Sequence, residues 1–220
     1  MSKLETKILF DNNSQFIISS GDLLGAPVDA IVNPANSGLA HGGGLAAQIL
    51  FEAGEALEAE GDKIIAEQGL LAVCSAVATT AGRLPYKAVI HAVGPRNGCG
   101  DEQAKIEQTV ANCLQLAEQK RYDSIAFPAI SSGIFAVPKE LCAQAFKNAV
   151  TSYFANDQHR LKNIYLCLLT DDYPVFTAII NSSEKQSSSM STAEGSENEG
   201  DVNEINLEDL MADEEIPDWL

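Results

Sequence analysis

Short apolar runs alternate along this chain with longer segments in which apolar residues recur every three or four positions. Runs of the first kind predict strands, and segments of the second kind predict amphipathic helices. The predicted strands are Lys7–Phe10, Gln15–Ser19, Ala30–Asn33, Val73–Thr79, Ala88–Val93, Ser124–Phe127 and Asn163–Leu169. The predicted helices are Gly44–Ala53, Leu57–Gln68, Asp101–Gln119, a segment from Pro138 to Tyr153, and Tyr173–Ile180. The alternation predicts a layered α/β domain whose first two strands form a hairpin.

The apolar pattern stops near residue 181, and the sequence from Ser182 to Leu220 is rich in Ser, Glu and Gly. Such a segment has too little apolar surface to offset the entropy of ordering it. We therefore predict a folded domain over residues 1–181 and a disordered acidic tail over residues 182–220. Residues 205–220 interleave apolar and acidic positions, which fits either a short motif that docks on a protein partner or a solubilising end with incidental apolar residues.

Charge and cysteine usage exclude several classes of function. The tail holds twelve Asp and Glu against one Lys, so it carries eleven of the seventeen net negative charges and leaves the domain mildly acidic. No basic stripe is present, which argues against long nucleic acid as a partner. The five cysteines are scattered without a CxxC pair, so we predict no metal and no cofactor. No apolar run has the length of a signal peptide or membrane span, and we expect a cytoplasmic location without membrane contact.

Two loops carry the candidate chemistry, and each follows a predicted strand. The glycine loop, Asn33 to Gly44, joins asparagines to three consecutive glycines ahead of a helix. Bare backbone N–H groups and a helix N-terminus suit a phosphate or diphosphate, and asparagine amides suit sugar hydroxyls. The serine loop, Phe127 to Phe135, places small and hydroxyl residues at the next such position. Two loops at the carboxyl ends of strands predict a clamp for one extended molecule.

Five motifs follow one another along the chain: Gly21-Asp22-Leu23, VDAIVNPAN, HGGGLA, HAVGP and AFPAISSGIF. Together they resemble the macro domain family, in its HGGG form that is common among viral, archaeal and PARP-associated members, and the match runs over about residues 15 to 180. The resemblance implies a three-layer α/β/α sandwich with a mixed central sheet. It also implies binding of ADP-ribose, free or on mono-ADP-ribosylated proteins, and some members hydrolyse mono-ADP-ribosyl groups from acidic side chains.

The resemblance also implies roles for individual residues. Asp22, next to Leu23, would accept a hydrogen bond from the adenine amino group, and Asn36 would hold the distal ribose. The backbone of the glycine loop would meet the distal ribose and diphosphate, while the serine loop would wrap the diphosphate, with its aromatic residue over the distal ribose. The predicted ligand-binding residues are Asp22, Leu23, Asn36, Gly42, Gly43, Gly44, Leu45, Ser131, Ser132, Gly133, Ile134 and Phe135, and the predicted catalytic residues are Asn36, Gly43 and His41.

Several of these residues have an alternative structural interpretation. Asp22 could only form a turn, and His41 could orient a ribose or pack beneath the glycines. Asn33 is expected to brace the loop through backbone hydrogen bonds, and His91 to be a hydrogen-bonded core residue.

The chain departs from the family pattern at positions that matter for catalysis and base binding. Ala46 stands where the GGGGVD branch has an aspartate assigned to water activation. Leu169 or Thr170 stands where an aromatic often stacks on adenine, so we expect aliphatic packing there or a contribution from Tyr173. Ala136 replaces a frequent glycine. Sequence alone therefore predicts ADP-ribose binding with weak hydrolase activity, and leaves a non-catalytic reader that recruits a partner through its tail as the alternative.

Overall fold

The computed structural model describes residues 4–10, 13–156 and 158–182, which form one α/β unit. Its strands are β1 (Glu5–Leu9), β2 (Gln15–Ser20), β3 (Ala30–Ala35), β4 (Ala76–Thr79), β5 (Ala88–Val93), β6 (Ser124–Pro128) and β7 (Asn163–Leu168). Its helices are α1 (Gly44–Ala53), α2 (Glu55–Gln68), α3 (Glu102–Gln119), α4 (Lys139–Phe154) and α5 (Tyr173–Ile180), with one short 3-10 turn at Leu23–Gly25. The predicted tail and its docking motif lie outside the described residues, apart from Ser182.

The seven strands form one mixed sheet in the order β1-β2-β7-β6-β3-β5-β4. The two edge strands, β1 and β4, run antiparallel to their neighbours, while the five central strands are parallel to one another. Helices cover both faces of this sheet. The predicted three-layer α/β/α sandwich with a mixed central sheet is therefore confirmed.

Successive residues of the central strands face opposite layers, as the two-residue period of a strand requires. Val32 of β3 belongs to the larger core with residues of α3, α4 and α5, whereas its neighbour Ile31 packs with Ile49 of α1 and Leu57 of α2. The side chains of Ile31, Ile49 and Leu57 are all fully buried. Burial on both faces explains why the central strands are nearly continuous apolar runs.

The sheet opens between β3 and β6. These strands are in register only at Ala30 with Ile125 and Ile31 with Ala126 among the described residues. From β3 the chain passes to α1 on one face, and from β6 it passes to α4 on the other. A sheet whose adjacent strands lead to opposite faces has a crevice at that point, outside the carboxyl ends of the strands. The fold therefore brings the glycine loop and the serine loop to the same place.

Most element boundaries agree with the sequence patterns, and α1 and α5 match at both ends. β4 is the main exception, because it begins at Ala76 rather than Val73. Cys74 has a φ of 75°, and the Ser75 N–H donates to the Ala72 carbonyl, so this segment turns instead of extending. A non-glycine residue at positive φ has no clear signal in an apolar run, which is why the prediction ran three residues too long.

Candidate functional site

A cleft of about 780 Å³ opens at the carboxyl ends of the parallel strands. All five of these strands contribute loop residues to its walls. Every residue predicted to bind the ligand lines this cleft, from Asp22 and Leu23 through the glycine loop to the end of the serine loop. Among the predicted catalytic residues, Asn36 and Gly43 line it and His41 does not. Its size falls within the usual range of small-molecule sites.

Asn36 holds the glycine loop in shape through its side-chain amide. Its Oδ1 accepts hydrogen bonds from the backbone N–H groups of Gly38 and Ala40, both at 3.1 Å, and its Nδ2 donates to the Ala40 carbonyl at 2.8 Å. These backbone partners fix which end of the amide is oxygen. Because the amide nitrogen has two hydrogens, one N–H of Asn36 is left for a molecule in the cleft.

The glycines that follow expose bare backbone at the start of α1. A Cβ added at Gly42 or Gly43 would meet no atom within 4 Å, so both face open space. Gly43 is the N-cap residue of α1 and supplies no side-chain cap. The N–H groups of the first turn and the positive end of the helix dipole therefore suit an anionic group. Ala46, in the same turn, lines the cleft and offers no base.

The serine loop closes the opposite wall, and the backbone is strained at Ser131 within it and at Ala136, the residue that follows it. Ser131 has a φ of 68° and Ala136 a φ of 54°, a region that costs a non-glycine residue about 1–2 kcal/mol. Between them, Ile134 is 76% exposed and reaches across the cleft, so that its Cδ1 would lie 3.5 Å from a Cβ placed on Gly44. The two loops therefore approach each other directly.

Gly94, which follows β5, packs directly against Ile130 and Ser131 of the serine loop. A Cβ at this position would clash with Ser131 Oγ and would lie 2.7 Å from Ile130 Cγ2. Real Cβ contacts do not come this close, so only glycine fits. Gly94 also lines the cleft. It belongs to the HAVGP motif, but sequence reasoning gave it no role because the close approach is a tertiary contact.

Asp22 combines the two roles that the sequence left open. Its Oδ1 accepts from the Leu24 N–H at 2.9 Å and caps the short 3-10 turn, so it is a turn former. The residue is also exposed and lines the cleft. Carboxylate oxygens accept several hydrogen bonds, and Oδ2 takes no part in this turn bond. Asp22 can therefore cap the turn and still accept from a ligand.

Leu169 forms the cleft wall near Asp22, because the Gly21 N–H donates to the carbonyl of the preceding residue, Leu168, at 3.1 Å. Leu169 is 75% exposed, which makes it an apolar platform at the cleft. Tyr173 does not line the cleft, and its hydroxyl lies 2.7 Å from Thr6 Oγ1 instead. Of the alternatives open from sequence, the structure favours the aliphatic residue.

His41 belongs to the glycine loop, and its ring packs edge-on against His91, with 5.7 Å between ring centroids. Burial lowers the pKa of His41, while the charges of Glu58 and Asp62 oppose this shift. Its Nε2 is buried and has no hydrogen-bond partner within the described part of the chain. Of the two interpretations open from sequence, this placement favours packing, and a catalytic role for His41 stays a prediction.

His91 is a fully buried core residue, and its hydrogen bonds fix its tautomer. Asn33 Nδ2 can only donate, so His91 Nδ1, 3.0 Å away, accepts. Nε2 then carries the ring proton and donates to Thr79 Oγ1 at 2.8 Å. Burial lowers the pKa of His91 to about 3, which keeps the ring neutral. Asn33 thus braces β5 through this imidazole rather than through loop backbone.

Two cationic side chains at the cleft were missed in the sequence. Lys139, the first residue of α4, forms an ion pair with the buried carboxylate of Asp172, whose hydrogen bond and charge raise the pKa of Lys139. Arg96 follows β5, and its Cζ lies 4.2 Å from the centroid of the Phe135 ring. Both line the cleft. The crevice rule that selected the two loops applies equally to the residues after β5, and would have found Arg96.

Residues 4–10, 13–156 and 158–182 contain neither a metal-binding cluster nor a membrane-spanning helix. No cluster of three or more His, Cys, Asp or Glu side chains in these ranges is arranged to hold a metal ion. None of the helices in these ranges combines the length and apolar character needed to cross a bilayer.

Comparisons with known proteins agree with this geometry. The family model described as Macro domain matches residues 32–146. An uncharacterized protein of Saccharolobus solfataricus is 40% identical over 169 residues, which cover 76% of this chain and 93% of that protein. An O-acetyl-ADP-ribose deacetylase of Klebsiella pneumoniae is 37% identical over 164 residues, covering 74% of this chain and 94% of that enzyme.

Among solved structures, the Oceanobacillus iheyensis macrodomain with ADP has a TM-score of 0.75 to this chain at 24% sequence identity. The match covers 82% of this chain and 96% of that structure. At this identity the likeness shows a shared fold.

Proposed function

Because this chain belongs to the macro domain family, we propose that its cleft binds ADP-ribose, either free or attached to a protein. One observation carries the proposal: the glycine loop and the serine loop line the same crevice and approach each other across it. A diphosphate between two sets of backbone N–H groups, with a nucleoside on one side and a ribose on the other, fits that arrangement.

The lining residues suggest the direction in which the ligand lies. Asp22 and Leu169 form the end with a hydrogen-bond acceptor and an apolar platform, which suits adenine. Gly42 to Gly44 and the serine loop would hold the diphosphate between them. Asn36, with one free N–H, and Phe135 would contact the distal ribose at the other end. Each half of the ligand would thus meet a chemically matched half of the cleft.

Calorimetry tests the binding proposal. We expect ADP-ribose to give saturable heat, and both AMP and ribose 5-phosphate to bind more weakly, because each of these reaches one half of the cleft. Absence of heat with ADP-ribose would contradict the proposal. Equal affinity for AMP and ADP-ribose would contradict the roles of Asn36 and Phe135.

We further propose that the protein hydrolyses mono-ADP-ribosyl groups from acidic side chains, and does so slowly. Water would add at the ester linkage, releasing ADP-ribose and restoring the carboxylate. Two observations support this: the likeness to an O-acetyl-ADP-ribose deacetylase, whose named substrate also carries an acyl ester, and the pre-positioned N–H of Asn36. A positioned general base contributes about 10²–10⁴-fold in rate. Because Ala46 cannot act as a base, we expect orientation of the water to supply most of the acceleration.

Incubation with a protein mono-ADP-ribosylated on glutamate tests the catalytic proposal. We expect slow release of ADP-ribose above the rate of spontaneous hydrolysis. Binding without release would make the protein a reader of the modification. In that alternative, the acidic tail would recruit a partner, and removing residues 182–220 would abolish recruitment while ADP-ribose affinity is unchanged. The tail partner and the cytoplasmic location stay predictions from sequence.

A further inference from the structure

The two cations of the cleft differ in what they can still bind. Lys139 is committed to the buried carboxylate of Asp172. Arg96 is exposed, and no described carboxylate lies within 4.0 Å of its guanidinium. Within the described residues its guanidinium makes no hydrogen bond or ion pair, and it lies over the face of Phe135. The edge of the guanidinium, which carries its N–H donors, is therefore available to an anionic group.

Arg96 is also held in place before any ligand arrives. The Asn97 N–H donates to the Phe135 carbonyl at 2.9 Å and ties the loop after β5 to the serine loop. Further along, the Glu102 carboxylate accepts from the N–H groups of Gly98 and Gly100 at 2.7 and 3.2 Å. A stacked guanidinium on a braced loop loses little conformational freedom on binding, and its planar fork matches a carboxylate.

The position of Arg96 relative to Phe135 indicates which anion it meets. In the proposed function, Phe135 covers the distal ribose, which is the sugar that would carry the modified side chain. Arg96 packs against Phe135, so it lies at the end of the cleft where the modified protein would leave. The diphosphate has its own donors in two loops. The donor that this end of the cleft offers to a neighbouring carboxylate of the modified segment is the guanidinium of Arg96.

We infer that Arg96 is a specificity-determining residue that binds a carboxylate flanking the ADP-ribosylated side chain, so that the cleft prefers modified sites in acidic segments. The inference rests on the proposed function and extends it from the nucleotide to the protein substrate. The overall charge of the chain is −17, which repels acidic segments at long range. A local cation at the exit of the cleft provides the compensating short-range attraction.

Binding of two matched peptides to the full chain tests this inference. Each peptide carries ADP-ribose on a glutamine, whose amide linkage resists ester hydrolysis, and the flanking residues are Asp and Glu in one and Asn and Gln in the other. We expect the acidic peptide to bind about twofold to fivefold more tightly, which is the fold-change that one exposed guanidinium–carboxylate pair can supply. The preference should shrink as NaCl is added.

The variant Arg96→Gln keeps a planar head over Phe135 but removes the charge, and should bring the two affinities together. Lys63→Ala removes the same charge from an exposed position on α2 and should keep the preference. An unchanged preference in Arg96→Gln would overturn the inference. So would a loss of affinity for free ADP-ribose as large as that for the acidic peptide, because Arg96 would then contact the nucleotide. Failure of ADP-ribose to bind wild type would instead contradict the proposed function.

Discussion

The glycine loop and the serine loop face each other across one cleft, but they obtain their shapes in different ways. The glycine loop is braced by its own Asn36 and presents open backbone at Gly42 and Gly43. The serine loop presents side chains, has positive φ at Ser131 and at the adjoining Ala136, and packs on Gly94 of another segment. The first loop is thus shaped mainly by local bonds, and the second by tertiary contacts. The two should respond differently to substitution.

The largest expected effect is on binding, at the open glycine. Gly43→Glu places a carboxylate where the diphosphate would lie, and we expect at least about a 100-fold loss of ADP-ribose affinity from repulsion and occlusion. The fold should persist, because a Cβ at Gly43 meets no atom within 4 Å. Calorimetry with ADP-ribose and thermal unfolding without it measure the two effects. Gly25→Glu, which also adds its Cβ in open space but outside the cleft lining, is the matched control. A thermal shift of Gly43→Glu by ADP-ribose would contradict this role.

His91 bonds to Asn33 and packs against His41 of the glycine loop, and it should make the free energy of unfolding sensitive to acid. Burial lowers the pKa of His91 from 6.5, the usual value for histidine, to about 3 in the folded protein. The unfolded chain therefore binds a proton that the folded protein does not, and stability falls as the pH drops below 6.5, until it levels off near pH 3. Each pH unit within this window should cost about 1.4 kcal/mol from this group.

Chemical denaturation at several pH values, compared between wild type and His91→Gln, isolates this contribution. The variant should be less stable at neutral pH, because it loses the fitted imidazole, but its stability should fall less steeply with acid. Parallel curves would show that His91 does not titrate between the folded and unfolded states as expected.

Substitution of Gly94, on which the serine loop packs, should destabilise that loop. Gly94→Ala forces a Cβ against Ser131 Oγ and Ile130 Cγ2, and we expect about 1–3 kcal/mol of destabilisation by overpacking, with weaker ADP-ribose binding. Gly133→Ala adds the same methyl group within the serine loop, where no atom lies within 4 Å, and should change the free energy of unfolding by less than about 0.5 kcal/mol. Equal losses of stability in the two variants would argue against the contact with Gly94 as the support.

Asn36 should separate catalysis from binding. Asn36→Ala removes the side-chain N–H that Ala40 does not use, and we expect release of ADP-ribose from modified protein to slow about tenfold more than ADP-ribose affinity falls. Asn36→Asp keeps acceptors for Gly38 and Ala40, so it should preserve loop shape better while also losing the donor. Single-turnover release and calorimetry give the two quantities. Equal losses in both would assign Asn36 to loop shape alone.

This contrast also explains what the sequence could predict. The glycine loop and the hydroxyl residues of the serine loop carry their chemistry in neighbouring positions, so the α/β layering and the two loops of the crevice follow from local patterns. The mixed sheet and the choice of Asp22, Asn36 and Phe135 as binding residues followed from the resemblance to the macro domain family. Gly94, Arg96 and the Lys139–Asp172 pair act through contacts between segments far apart in the chain. No local pattern encodes such a contact. The left-handed backbone of Cys74 and Ser131 is hidden for the same reason.

The smallest expected effect is a gain in the free energy of unfolding from a substitution at Ala136, the residue that follows the serine loop. Ala136 has a φ of 54°, where a Cβ is strained and glycine is not. Relief of strain should exceed the added entropy of the unfolded chain, so Ala136→Gly should stabilise the fold by about 0.5–1 kcal/mol. The same substitution at the exposed helical residue Ala111 of α3 should instead destabilise it by about 1 kcal/mol. Denaturant midpoints at constant m-value measure both. If Ala136→Gly lowers the midpoint as Ala111→Gly does, the serine loop is not strained at this end, and its contrast with the glycine loop is confined to Ser131 and Gly94.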